Sequence, residues 1–296
     1  MTAVTTSAAT GAFMAQTDLS WTVPVMRAGY AGRGITYLAV AGFSLFAIWH
    51  GGQAQGTSSA LAQLEDSSWG SLVLFLIFIG MLAYAVWRVI AAFYDLECRG
   101  DDAKGLGARA AMIITGILHL GLGFLAFSLL FLGASGSGGG STTGEVVRWV
   151  LGLPGGRWIV MAIGAGIFGA GVYYMYKGWA GKYRRHLRAN PVTLNFNVVL
   201  KAGLIAQGAV ICIVGILFFN AGWTFNPEEA GGTDKAFSWL TGQAYGRVLV
   251  GAICLGLLAF ALFCFVNARY RIVPRVAGDD VETMAAKLRA MAEGRA

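Results

Sequence analysis

Six long apolar runs constrain this 296-residue chain more than any other feature. They extend roughly from Ala28 to Trp49, Ser71 to Phe93, Ala110 to Leu132, Trp158 to Tyr176, Ala202 to Asn220 and Val248 to Val266. At about 1.5 Å per residue, each is long enough as a helix to cross a hydrocarbon core of about 30 Å. Composition agrees: 12% of residues are charged, against about 25% in a soluble domain. A mean hydropathy of +0.63 excludes a soluble globular enzyme. The expected class is an all-α membrane protein with six transmembrane helices. All five prolines (Pro24, Pro154, Pro191, Pro227, Pro274) fall outside these runs, so unkinked helices are expected.

Charge is distributed unevenly between the two ends of the spans. Eighteen Lys and Arg belong to the side carrying both termini, against four (Arg148, Arg157, Lys235, Arg247) on the other. The positive-inside rule then predicts that both termini are cytoplasmic. The net charge of +7 reads as an inner belt of basic loops, sharpest at Lys182, Arg184, Arg185 and Arg188, and implies no nucleic-acid partner. Residues 1–26 lack the basic and apolar regions of a secretory signal and are expected to form a disordered cytoplasmic tail. The cysteines Cys98, Cys212, Cys254 and Cys264 contain no C-x-x-C pair, and neither a disulfide framework nor a metal or cofactor site is expected.

The chain also repeats itself. Ungapped alignment of the first, third and fifth spans superposes Arg27, Arg109 and Lys201, and then Gly34, Gly116 and Gly208. Alignment of the second, fourth and sixth superposes Gly70, Gly156 and Gly246, and then Gly80, Gly166 and Gly256. The unit is a helical hairpin, present as residues 27–100, 108–188 and 200–273. Residues 274–296 remain as a C-terminal tail, in which Asp279 and Asp280 precede Val281, Met284, Leu288 and Met291 in the pattern of a capped amphipathic helix. Units with an even number of spans share one orientation, so an approximate threefold axis along the membrane normal is expected. The matched glycines are expected to be packing positions, because helices in lipid associate through close backbone approach. Each unit carries a short stretch before its second span (Ser58–Trp69, Thr142–Leu153, Thr233–Ala244) suited to a surface helix, with an ordered loop as the alternative. The glycine run from Gly136 to Gly144 reads as a flexible linker, since it lacks the G-K-[ST] of a phosphate loop.

Arg27-Ala28-Gly29-Tyr30 with Arg33-Gly34 and Tyr37, followed later by Tyr245-Gly246-Arg247 and Asn267-Ala268-Arg269-Tyr270-Arg271, resembles the bacterial membrane family known as domain of unknown function 1206. The resemblance covers about Arg27 to Pro274 and implies repeated two-helix units, usually three per chain, in a bacterial membrane; the cytoplasmic (inner) membrane is the expected location. It implies no activity. Thr115 and Gln207 replace Arg33 in the second and third units, so any role of that arginine belongs to the first.

Within the spans, His119 is the deepest ionisable residue, and an intramembrane histidine is a functional candidate by default. A hydrogen bond between helices is its structural alternative. Arg33 and Arg88 fall at similar depth near Tyr37, Tyr84, Asp95 and Glu97. They either form a polar pocket for an anionic headgroup or small anion, or snorkel to the interface. Arg157 and Arg247 read as interface anchors. No catalytic motif occurs, so a non-enzymatic structural or interaction protein is expected, with the lipid bilayer and a membrane-protein partner or anionic lipid as its contacts. A carrier or channel is the alternative, and convergence of Thr115, His119 and Gln207 on an axial cavity is what would favour it.

Overall fold

The computed structural model describes residues 19–65, 67–132, 138–277 and 281–294. Six helices have the length and hydropathy to cross a membrane: α1 (Thr22–Trp49), α3 (Gly70–Phe93), α4 (Ala103–Phe131), α6 (Gly156–Trp179), α8 (Asn197–Thr224) and α10 (Gly246–Tyr270). Shorter helices are α2 (Thr57–Glu65), α5 (Gly138–Leu151), α7 (Pro191–Asn195), α9 (Thr233–Thr241) and α11 (Met284–Ala292). Among the described residues there are no strands, only the bridges Leu187–Arg271 and Arg188–Thr283.

Several boundaries differ from the apolar runs, and at α4 a cap, rather than hydropathy, sets where the helix starts. Asp102 accepts a hydrogen bond from the Gly105 amide at 3.0 Å, so α4 begins one turn and more before Ala110. Helix α1 begins at Thr22, which places residues 22–26 in the helix rather than in a tail. Pro24 therefore lies inside α1, in the first turn, where a missing N–H costs nothing. Residues 1–18 lie outside the described part.

The stretches before α3, α6 and α10 are helical. Ala60, Leu61 and Leu64 of α2, and Ala236, Phe237 and Leu240 of α9, are buried, so these helices cap the bundle end opposite the termini. Phe237 joins Val40 and Val250 in one core cluster. Asp234 at the start of α9 accepts hydrogen bonds from the Ser58 and Ser59 amides, both at 3.1 Å, and thereby caps α2 of the first repeat. The glycine run is not simply a linker: α5 starts at Gly138, and the part before it, residues 133–137, lies outside the described residues.

The C-terminal segment is docked. Thr283, rather than an aspartate, caps α11 through the Ala286 amide at 3.2 Å; Asp279 and Asp280 lie outside the described residues. Met284 is fully buried and its amide donates to the Leu187 carbonyl at 2.8 Å. The basic turn Lys182–His186 is thereby held against α11.

Around the bundle, the packed neighbours run α4–α3–α1–α10–α8–α6. The threefold arrangement is not confirmed, because α4 and α6, the two arms of the second hairpin, form no packed pair. The bundle is an arc whose open side lies between them.

Glycine placement explains the arc. A Cβ on Gly29 would lie 2.6 Å from the Tyr84 Cα, and one on Gly32 would lie 2.5 Å from the Gly80 Cα, so α1 and α3 meet backbone to backbone. The third hairpin repeats both contacts, with Gly203 against Phe260 and Ala206 against Gly256. At the equivalent positions the second hairpin has Ala111 with Ala170, and Ile114 with Gly166. The branched Ile114 has no place in a small-residue contact, and Gly166 meets nothing within 4 Å. The expectation that Gly166 is a packing position is therefore corrected. Gly34 packs on Phe265, Gly116 on Arg88 and Ala85, and Gly208 on Gly171 and Met175.

Candidate functional site

The cavity lies toward the bundle end that carries the termini. Arg33, on α1, turns inward and is 4% exposed, so it does not snorkel. Its Nη1 donates to the Tyr84 hydroxyl at 2.8 Å. The guanidinium carbon also lies 4.7 Å from the Tyr84 ring centre and 5.5 Å from that of Phe260, a cation–π arrangement that offsets only part of the lost hydration. Arg33 Nε is buried without a hydrogen-bond partner. Among the described residues, Arg33 forms no ion pair.

Arg88, on α3, lies one turn beyond Tyr84, and the loop after α3 turns back beneath it. Asp95 makes that turn by accepting from the Arg99 amide at 2.7 Å and the Gly100 amide at 2.9 Å. Asp95 is thus occupied by the backbone and contributes nothing to the cavity.

The same turn buries Glu97. Its carboxylate meets Arg271 at 2.6 Å, Arg99 at 2.7 Å and Arg88 at 3.9 Å. Burial alone would push the Glu97 carboxyl up, but the surrounding guanidiniums, Arg271 first, hold it well below the usual carboxylate range. Burial works against the charge of Arg271, whereas Tyr30 and Glu97 raise its pKa. His186 nearby is pushed down to about 3, by burial first and by Arg271 second, so it is neutral at physiological pH. One carboxylate is therefore shared among three arginines, two of which, Arg271 and Arg99, approach it within hydrogen-bond distance.

These groups line a cavity of about 660 Å³. Six basic side chains reach it, namely Arg33, Arg88, Arg99, Lys104, Lys177 and Arg271, against the carboxylates Glu97 and Asp102. Its remaining walls include Ala111 and Thr115 of α4 and Ala170 and Tyr173 of α6.

The other sequence candidates are dispersed. Thr115 lines the cavity but returns its hydroxyl to the Ala111 carbonyl at 2.7 Å. His119 Nδ1 lies 2.7 Å from the Thr115 carbonyl, and its ring stacks obliquely 4.6 Å from that of Tyr84. Gln207 donates to the Tyr37 hydroxyl at 2.9 Å, joining α8 to α1. The three do not converge on an axial cavity. Arg157, expected as an interface anchor, donates to the Trp223 carbonyl at 2.8 Å. Sequence reasoning missed Lys177, which it counted with the basic belt. The available signal was its repeat position, shared with Ala91 and Asn267. Arg271 was likewise read only as part of a motif.

The profile described as Domain of Unknown Function (DUF1206) matches residues 28–95, 110–181 and 202–271, one match for each hairpin. The chain is 25% identical over 256 residues to a Bacillus subtilis (strain 168) protein described as "Uncharacterized protein YxxB", covering 85% of this chain and 92% of that one. No solved structure matches. With three repeats matched over most of its length, the chain belongs to the Domain of Unknown Function (DUF1206) family.

Proposed function

We propose that this protein is a non-enzymatic membrane protein that binds an anionic group, a phosphate or carboxylate, in the basic cavity. The observation that supports this is Arg33. Arg33 lies about three turns inside α1, and burying an arginine in a spanning helix is costly, by up to about 2.5–3.5 kcal/mol at the helix centre on insertion scales. Arg33 is nevertheless held inward with an unpartnered Nε and no carboxylate of its own. An anion accepting from its guanidinium, with Arg88 and Lys177 alongside, supplies the missing counter-charge. Glu97 is already committed to Arg271 and Arg99.

In this reading both termini face the cytoplasm of a bacterial inner membrane, as the uneven basic charge implies. Cys98, exposed in the loop after α3, tests the orientation: a membrane-impermeant maleimide labels it after permeabilisation and not in intact cells. Labelling of intact cells reverses the topology.

Binding is tested by the thermal stabilisation of purified protein with inorganic phosphate and with glycerol phosphate. Stabilisation that disappears in Arg33→Gln and in Arg88→Gln is expected; stabilisation unchanged in both variants overturns the site. An interaction role is favoured by the glycine-mediated packing and by the Gln207–Tyr37 pair, and co-purification of a stoichiometric partner in mild detergent would support it. A carrier draws on the same cavity and is separated from a binding protein by phosphate flux into liposomes.

A further inference from the structure

We infer that the anion belongs to a membrane lipid, whose headgroup reaches the cavity sideways through the gap between α4 and α6. This inference rests on the anion-binding reading above. Two independent observations meet at that gap. The first is that the cavity wall is built from both unpaired arms, Ala111 and Thr115 on one side and Ala170 and Tyr173 on the other. The second is that the contacts sealing the other two hairpins are absent there, and that the open faces are apolar. Ile114 is 58% exposed and Ile117 62%, while Gly166 and Gly169 meet nothing within 4 Å.

Small side chains leave the passage open. The position held by Tyr84 in the first hairpin and Phe260 in the third is Ala170 in the second. An aromatic ring there would cover the flank of the cavity. Charge then selects the occupant. A soluble anion has no route through an apolar gap that faces hydrocarbon, because it would leave its hydration behind, and would have to enter from the loop end, where Cys98, Asp102 and Lys104 line the cavity. A phospholipid carries its acyl chains in that hydrocarbon and its phosphate at the interface, where basic side chains attract it. Lys104, near the start of α4, and Lys177, in the last turn of α6, flank such a headgroup, with Arg88 and Arg33 successively deeper.

Ala170→Phe restores the residue type of the third repeat at an exposed position, so the bundle is expected to fold. Protein is reconstituted with phosphatidylglycerol or with phosphatidylcholine, and retained lipid is counted by native mass spectrometry. Preferential retention of phosphatidylglycerol is expected, with at least a tenfold loss in Ala170→Phe and in Arg33→Gln. Gly166→Leu narrows the same gap and serves as a second variant, and thermal unfolding confirms that each variant is folded. Retention that survives Ala170→Phe and Gly166→Leu but is lost in Arg33→Gln overturns sideways access and leaves the anion site standing. Retention unchanged by Arg33→Gln overturns both. Equal retention of the two lipids, or glycerol phosphate binding as tightly as phosphatidylglycerol, overturns the lipid assignment.

Discussion

The first and third hairpins are sealed by backbone contact, whereas the second stands open, although all three derive from one repeat. The difference lies in a few side chains: Gly29 and Gly32 become Ala111 and Ile114, and Tyr84 becomes Ala170. Lipid solvates apolar side chains about as well as a neighbouring helix does, so loss of a close glycine contact removes most of the reason for two helices to touch. Repetition thus supplied three similar hairpins, and relaxation of one contact supplied a wall for a cavity whose arginines come from the sealed hairpins and whose two lysines, Lys104 and Lys177, stand on the open one.

The sealed pair is joined at one end by Glu97 and Arg271, and removing that carboxylate should have the largest effect. Glu97→Gln leaves buried guanidiniums without a counter-charge, a change that typically costs about 3–5 kcal/mol and should lower the apparent unfolding midpoint in detergent. The pH dependence has a definite sign. The folded-state pKa of Glu97 lies below its ordinary value of 4.5, so its contribution is present above that pH and is lost as pH falls toward the folded-state value. The variant should lack this component of acid sensitivity.

Next in size is Gly32→Leu, which forces apart α1 and α3 at an expected cost of about 1–3 kcal/mol. It should be read as a lower midpoint and poorer recovery on size exclusion. A smaller effect is expected at the opposite end, where Asp234→Ala uncaps α2. The expected cost is about 1 kcal/mol, visible as faster amide hydrogen exchange across residues 57–65. The smallest belongs to the open hairpin: Gly166→Leu should shift stability by no more than about 0.5 kcal/mol. If Gly166→Leu destabilises as much as Gly32→Leu, α4 and α6 pack after all and the comparison fails.

Spans, repeat number and the proximity of Arg33 and Arg88 were legible in the sequence, because hydropathy over twenty residues and recurring glycines are strong, local signals. The inward turn of Arg33 was not. Depth along a helix can be read from sequence, but which neighbour a side chain faces depends on the packing of α1 against α3 and α10. The gap was legible in principle, since the alignment that superposes Gly34, Gly116 and Gly208 equates Ile114 with Gly32, and the alignment of the even spans equates Gly166 with Gly80. That this register, two residues earlier on the same helix, carries the contact within the first and third hairpins is a matter of packing, which the alignment does not encode. The partner of Glu97 was hidden for a different reason, since an ion pair between residues 174 apart leaves no periodic trace.

That separation also bears on how the protein is made. Ribosomes extend a chain at about 5–20 residues per second, so Glu97 emerges roughly 10–35 s before Arg271. Thr57, whose amide donates to the Thr233 hydroxyl 176 residues away at 2.8 Å, waits similarly at the opposite end. The first hairpin must therefore reside in the membrane with its long-range partners unmade until the third arrives. This interval is when a chaperone or insertase would find it most exposed.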